Sequence, residues 1–224
     1  MEHWLDLLPP LLRGARVTAE LALASTVVGA LLAFASGIGK LSRIAPVRWL
    51  STAYVEIFRG TSLLVQMFWL FYALPLLGIR LEPTTAGILA LGLNIGAYGA
   101  EVVRGAILAV DPKQYEASTA LNFGPRYTLW NIVMPQALVE MMPPFGNLVV
   151  QNLKDTALVS LITLTDLTFQ AQNVRNLTLD SVPVYTMTLF LYFGMALVLT
   201  FAMRILERYI AGRVGVTVAR ARSS

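Results

Sequence analysis

DPKQYEASTALNFGPRYTLWNIVMP, residues 111–135, is a polar interruption in a chain that is otherwise strongly apolar. Its local chemistry reads helix, turn, helix. Asp111 can serve as N-cap, Pro112 suits the first helical position, and Gln114 is spaced to reach back in a capping box. Asn122 tolerates the left-handed backbone that ends such a helix, and Gly124 with Pro125 opens a second one, expected to stop near Pro135. Tyr115, Glu116, Thr119 and Phe123 recur at helical spacing, so one side offers an aromatic ring and a carboxylate together. The stretch is either a solvated amphipathic loop or a rigid knuckle that touches a partner.

What surrounds it is membrane-like. With 224 residues, 56% hydrophobic and only 13% charged, and a mean hydropathy of +0.65, the chain falls in the integral-membrane class. Cysteine is absent, which excludes disulfides, thiolate metal sites and cysteine nucleophiles, and the lone His3 excludes a histidine metal cluster. The net charge of +4 belongs to cytoplasmic loops and does not imply nucleic-acid binding. Residues 1–14 carry acids where a cleavable signal would be basic, so no signal peptide is expected.

Apolar runs of bilayer-crossing length are expected at 17–38, 52–77, 84–110, 144–164 and 185–206. Residues 1–16 read as an amphipathic segment at the outer interface, with Trp4 on it and a break at Pro9-Pro10. Residues 211–224 read as a basic tail. Lys40, Arg43, Arg48, Arg59, Arg104, Lys113, Arg126 and the C-terminal arginines, Arg220 and Arg222 included, follow spans one, three and five. The opposite side has only Arg13, Arg16, Arg80 and Arg175. The positive-inside rule therefore puts the N-terminus outside, the C-terminus inside and the loop 111–136 in the cytoplasm.

Polar residues inside the spans mark the chemistry. In the second span Glu56 and Arg59, three apart on one face, read as a local ion pair or a gate. In the third, Asn94, Tyr98 and Glu101 form one stripe with Arg104 a turn beyond Glu101, beside small residues at Gly96, Ala97, Gly99 and Ala100 that admit a neighbouring helix. The fourth span carries Asn147, Gln151, Asn152, Lys154, Asp155 and Thr156. A central Lys or Asp costs about 3 kcal/mol in a bilayer helix, so each must meet a partner or water. Lys154 and Asp155, about 100° apart around a helix, cannot simply pair with each other. They either lock neighbouring spans or line a path with Asn147 and Gln151. The polar connection 165–184 is where a soluble binding protein could dock.

Several of these motifs resemble one family. EAS at 116–118 with Ala120, Leu121 and the Pro135-Gln136-Ala137 triplet resembles the EAA loop of ABC importer permeases. Around residues 54–66, at 94–105 and at KDTAL, residues 154–158, the chain is similar to the polar amino acid uptake subfamily. The resemblance implies an all-α membrane protein, five transmembrane helices of the type I ABC importer permease fold with a cytoplasmic coupling helix. It implies that Tyr115, Glu116, Ala117, Ala120, Leu121 and Asn122 dock on a cytoplasmic ATPase, and that Asn94, Tyr98, Asn147, Gln151, Lys154 and Asp155 line the substrate path. Glu56–Arg59 and Glu101–Arg104 would be gate ion pairs. The partners implied are a second permease subunit, identical or homologous, two ABC ATPase subunits binding ATP and Mg, and an extracytoplasmic solute-binding protein in the bacterial inner membrane.

Three departures from the subfamily pattern are visible: Asn122 for glycine, Ser62 for proline, and Leu148 where an acid is common, the last arguing against a cationic solute. The chain has no GxxxxGK[ST], so it hydrolyses no ATP itself, and no metal or catalytic residue is assigned. An ATP-independent facilitator or channel, which would have no need of the Glu116 knuckle, and a membrane-embedded enzyme using Glu101, Lys154 or Asp155 are the rival readings. The expected cargo is a polar or zwitterionic amino acid, or an amino-acid-like compatible solute such as ectoine or hydroxyectoine.

Overall fold

A computed structural model describes residues 2–214, with side chains from 7 to 213. Trp4, His3 and the basic residues Arg220 and Arg222 lie outside the described side chains. The described chain is helical throughout. Helix α1, Glu2–Lys40, is one continuous rod, so the expected break at Pro9-Pro10 does not occur. Leu7 and Leu11 on that segment are buried against α8, Leu167–Thr178, and α9, Ser181–Val214, and this packing outweighs the backbone bonds that two prolines remove.

The long helix α4, Pro83–Ala109, lies along α1 at very close range. Small residues make that possible: a Cβ added to Gly37 would sit 2.7 Å from the Ala100 carbonyl, and one added to Gly92 would sit 2.8 Å from Val28. With no hydrophobic drive between helices inside lipid, such backbone approach is what gives two spans contact.

The second expected span, 52–77, is not one helix. Helix α2, Ala45–Gly60, and helix α3, Leu63–Phe68, meet at 105° across Thr61 and Ser62, and α3 runs on through a π-helical turn to Ala73 and a 3-10 turn to Leu77. Ser62 stands where a proline would restrict the backbone, yet both residues of the break are extended, with φ/ψ of −121/157 and −71/132. Removing the proline did not restore a straight helix.

After Asp111 come α5, Pro112–Ala120, then α6, Pro125–Tyr127, which continues through a π-helical turn, Thr128–Val133, into α7, Met134–Asp155. The second helix of the knuckle therefore does not stop at Pro135: that proline is the second residue of α7, directly after the π-helical turn, and the helix passes through it. Helix α7 begins ten residues before the expected span at 144 and yields to a 3-10 segment, Thr156–Ile162. By length and composition α1, α4 and α9 are each able to cross a membrane, and the bent α2–α3 pair is a fourth. Helix α7 is absent from that set because its own polar residues dilute it.

Two apolar clusters hold the bundle. One joins α1, α4 and α7 through Ala33, Val103, Met141 and Phe145, and the other joins α1, α3, α4 and the 3-10 segment through Leu21, Met67, Leu91 and Val159.

Candidate functional site: a polar cavity at a broken helix, and an exposed knuckle

The break between α2 and α3, the middle of α4 and the end of α7 enclose a cavity of about 630 Å³. Thr61, Ser62, Asn94, Tyr98, Gln151, Asn152 and Asp155 are its polar lining, with leucines and Ile95 between them. Four of the six residues expected on the path thus come together. Asn147 does not join them: it lines a separate hollow of about 220 Å³ with Arg204 and Glu207 of α9. Lys154 is exposed and outside the cavity, because it sits one residue from Asp155 and so points about 100° away around α7.

Around the cavity the side chains are tied. Gln151 Nε2 donates to the Asp155 carboxylate at 2.9 Å, one turn apart on α7. Asn94 Nδ2 donates to the Phe58 carbonyl and to Gln66 Oε1, each at 3.3 Å. The Arg59 guanidinium lies over the Tyr98 ring at 5.3 Å, a cation–π contact. Asn152 borders the cavity but is buried, and it turns its amide to α1, where its Nδ2 donates to Ser25 Oγ at 2.8 Å and Thr26 Oγ1 at 3.1 Å. On α7, Gln151 and Asp155 hold each other at the cavity wall while the Asn152 amide locks α1.

The expected Glu56–Arg59 pair is not formed among the described residues. Lys40, at the end of α1, intervenes: its ammonium meets Glu56 at 3.7 Å and Glu101 more closely, while Arg104 holds the other Glu101 oxygen at 2.9 Å. Arg59 instead lies over the Tyr98 ring. The Glu101–Arg104 pair forms as expected, enlarged by Lys40 into a network joining α1, α2 and α4.

The knuckle is built by its caps. Asp111 Oδ1 accepts from the Lys113 amide at 2.9 Å, and the Gln114 amide instead bonds the Asp111 carbonyl, so the capping box is reduced to its Asp111 half. Asn122 takes φ +57, and the Phe123 and Asn122 amides bond the Ser118 and Thr119 carbonyls at 2.9 Å, a Schellman closure that satisfies the helix end without glycine. Only Ser118 of α5 is buried. Tyr115, Glu116, Ala117, Ala120, Leu121 and Asn122 all stand exposed, with Leu121 65% accessible, on a segment pinned by Tyr115 Oη to the Ile107 carbonyl of α4.

Sequence reading passed over Lys40, Gln66 and the locking role of Asn152. Lys40 looked like an ordinary positive-inside anchor. Gln66 was legible: a lone amide in the apolar run LLVQMF, where an intramembrane polar group needs a partner.

Comparison with known proteins places this architecture. Residues 25–212 match the family described as binding-protein-dependent transport system inner membrane component. A probable amino-acid ABC transporter permease protein of Sinorhizobium fredii is 60% identical over 91% of this chain and 88% of its own length. The L-cystine transport system permease protein TcyB of Bacillus subtilis is 34% identical over 89% and 86%. Among solved structures, the amino acid ABC transporter with histidines superposes with a TM-score of 0.85 at 32% identity, over 92% of this chain and 96% of that one. A four-motif pattern, a helical bundle with a polar cavity, an exposed knuckle and these matches lead to one assignment: the chain belongs to the binding-protein-dependent transport system inner membrane components and is a non-catalytic permease subunit of an ABC importer.

Proposed function

We propose that this subunit carries a polar or zwitterionic amino acid, or a compatible solute of that chemistry, through the cavity lined by Asn94, Tyr98, Gln151 and Asp155. The observation that carries the reading is the cavity itself, where amide, phenol and carboxylate groups collect at the break of a helix inside an otherwise apolar bundle. Polar groups at that depth are costly unless water or solute satisfies them. The relatives' names, which include L-cystine, glutamine and arginine transport, support an amino acid as cargo.

The exposed α5 knuckle is the surface for an ATPase subunit that binds ATP and Mg. Two such subunits, a second permease chain and an extracytoplasmic solute-binding protein complete the assembly, with the N-terminus outside and the C-terminus inside. Closure of the ATPases draws the two knuckles together and shifts the bundle between inward-open and outward-open states.

The test is uptake by the complete complex in proteoliposomes, with radiolabelled glutamine, cystine, arginine and ectoine as cargo. Gln151→Leu is expected to lower uptake about tenfold or more, the effect of losing one or two hydrogen bonds to solute, without changing the melting temperature. Unchanged uptake of every solute by a complex of normal stability would place the path elsewhere.

A further inference from the structure

Side-chain amides cross the bend between α2 and α3, beside the apolar packing of Met67 on α3. A helix that stops leaves its last carbonyls without partners, and within a span these need side chains or cavity water. At this break Gln66 Nε2 donates to the Phe58 carbonyl at 2.9 Å, to Thr61 Oγ1 at 2.8 Å and to the Thr61 carbonyl at 3.3 Å. Asn94 Nδ2, from α4, donates to the same Phe58 carbonyl and to Gln66 Oε1. Gly60, at the end of α2, has nothing within 4 Å of where a Cβ would stand, so no close packing wedges the bend at that point.

The orientation of both amides follows without ambiguity. Carbonyl oxygens only accept, so the NH2 of Gln66 must face Phe58 and Thr61, which leaves its Oε1 for Asn94. The NH2 of Asn94 must in turn face Phe58 and Gln66. Its Oδ1 then has no donor among the described residues and is not sealed from the cavity that Asn94 lines. Asp155, another lining residue, is likewise an acceptor when ionised.

We infer that Gln66 is a positioning residue of the translocation path: it locks the α2–α3 break and turns Asn94 so that its Oδ1 faces the cavity as an acceptor for the ammonium group of an amino acid. The inference rests on the cavity being the path. It assigns the cavity a polarity, reading hydrogen-bond donors on the solute through Asn94 Oδ1 and Asp155. Without Gln66 the Asn94 amide loses one of its two fixing partners and can rotate, presenting NH2 to an ammonium that it repels.

The experiment compares wild type, Gln66→Met, Asn94→Leu, the double variant and Gln151→Leu in the complete reconstituted complex with its binding protein. Uptake of L-glutamine, L-cystine and L-arginine is measured per ATP hydrolysed, alongside the melting temperature. Gln66→Met is expected to lower uptake per ATP about tenfold while binding-protein-stimulated hydrolysis stays within about twofold, and the double variant to be no worse than Asn94→Leu alone, because the two amides act as a unit. If Gln66→Met does not assemble, Gln66→Glu serves: an ionised Glu keeps the length but cannot donate to Phe58 and Thr61. A loss in Gln151→Leu with normal uptake per ATP in the Gln66 variants overturns the positioning role alone. No loss in Gln151→Leu overturns the path, and a wild-type complex importing none of the three amino acids overturns the ammonium assignment. A Gln66 variant whose hydrolysis and melting temperature fall in step with its uptake shows a merely structural amide, which also overturns the inference.

Discussion

Asp166 shows how one buried carboxylate ties α1, α8 and α9 at one end of the bundle. It is fully buried at the N-terminus of α8, accepts from the Phe169 amide at 2.9 Å and the Thr168 amide at 3.1 Å, and approaches Tyr192 Oη of α9 at 3.4 Å. The backbone of α1 comes so close that a Cβ on Gly14 would lie 2.8 Å from the Asp166 carbonyl, and Thr18 Oγ1 accepts from the Leu167 amide at 3.0 Å. Burial pushes the Asp166 carboxyl above its ordinary 3.8 despite these hydrogen bonds. A raised folded value means the native state holds the proton more tightly than the unfolded chain. Stability therefore falls as pH rises from about 4 through the folded value. Asp166→Asn does not titrate and keeps one oxygen for the cap, with an NH2 where the second oxygen accepts from the Thr168 amide. Its melting temperature relative to wild type is expected to rise steadily from pH 4 towards neutral pH. A constant difference between the two across that range would contradict the assignment.

At the scale of elements, the α1–α4 seam sets the geometry of both sites, since α4 carries Asn94 and Tyr98 into the cavity and leads through Asp111 into the knuckle. Gly37 decides how close that seam can be. An added Cβ would lie 2.7 Å from the Ala100 carbonyl and 2.7 Å from Val103 Cβ, neither of which is the end of a flexible chain. Gly37→Ala should destabilise by about 1–3 kcal/mol, as overpacking does. Gly105, on the same α4, has open space around its Cβ position. Gly105→Ala should then be neutral or stabilising by up to about 1 kcal/mol, the gain in helix propensity. Thermal or denaturant melts of the two variants in matched detergent test the contrast; equal destabilisation would mean the seam does not depend on close approach at Gly37.

At the scale of the molecule, the cavity lies against the middle of α4 and the knuckle follows its C-terminal end, with the Lys40–Glu101–Arg104 network between them at the meeting of α1, α2 and α4. Helix α4 is continuous from the cavity wall to Ala109, just before the knuckle's cap at Asp111. Ala120 lies on the exposed surface of α5. Ala120→Arg should leave the permease inserted and stable but abolish binding-protein-stimulated ATP hydrolysis, because a long charged side chain blocks close docking. Normal stimulation in that variant would remove the knuckle from the ATPase interface.

How much of this was legible from residues follows from the range of the forces involved. The caps of α5, its left-handed Asn122 and the all-helical class were readable because they depend on neighbours within one turn or on composition. The polar stripe of α4 and the polar positions of α7 were readable as expensive groups that need partners. Which partner each found was not. Gln151 and Asp155 face the cavity, Asn152 locks α1, Asn147 turns to α9 and Lys154 stays exposed, since a 100° step around the helix sends adjacent residues to different neighbours. The 105° break at Thr61 and Ser62 had only Gly60 as a local signal, and the amides that cross it come from Gln66 and, 28 residues further along the chain, Asn94. Sequence alone determined the membrane class, the all-helical character and the identity of the costly polar groups. Tertiary structure alone decided their pairing, because in a medium without water a buried polar group takes whichever partner the packing of distant helices brings within reach.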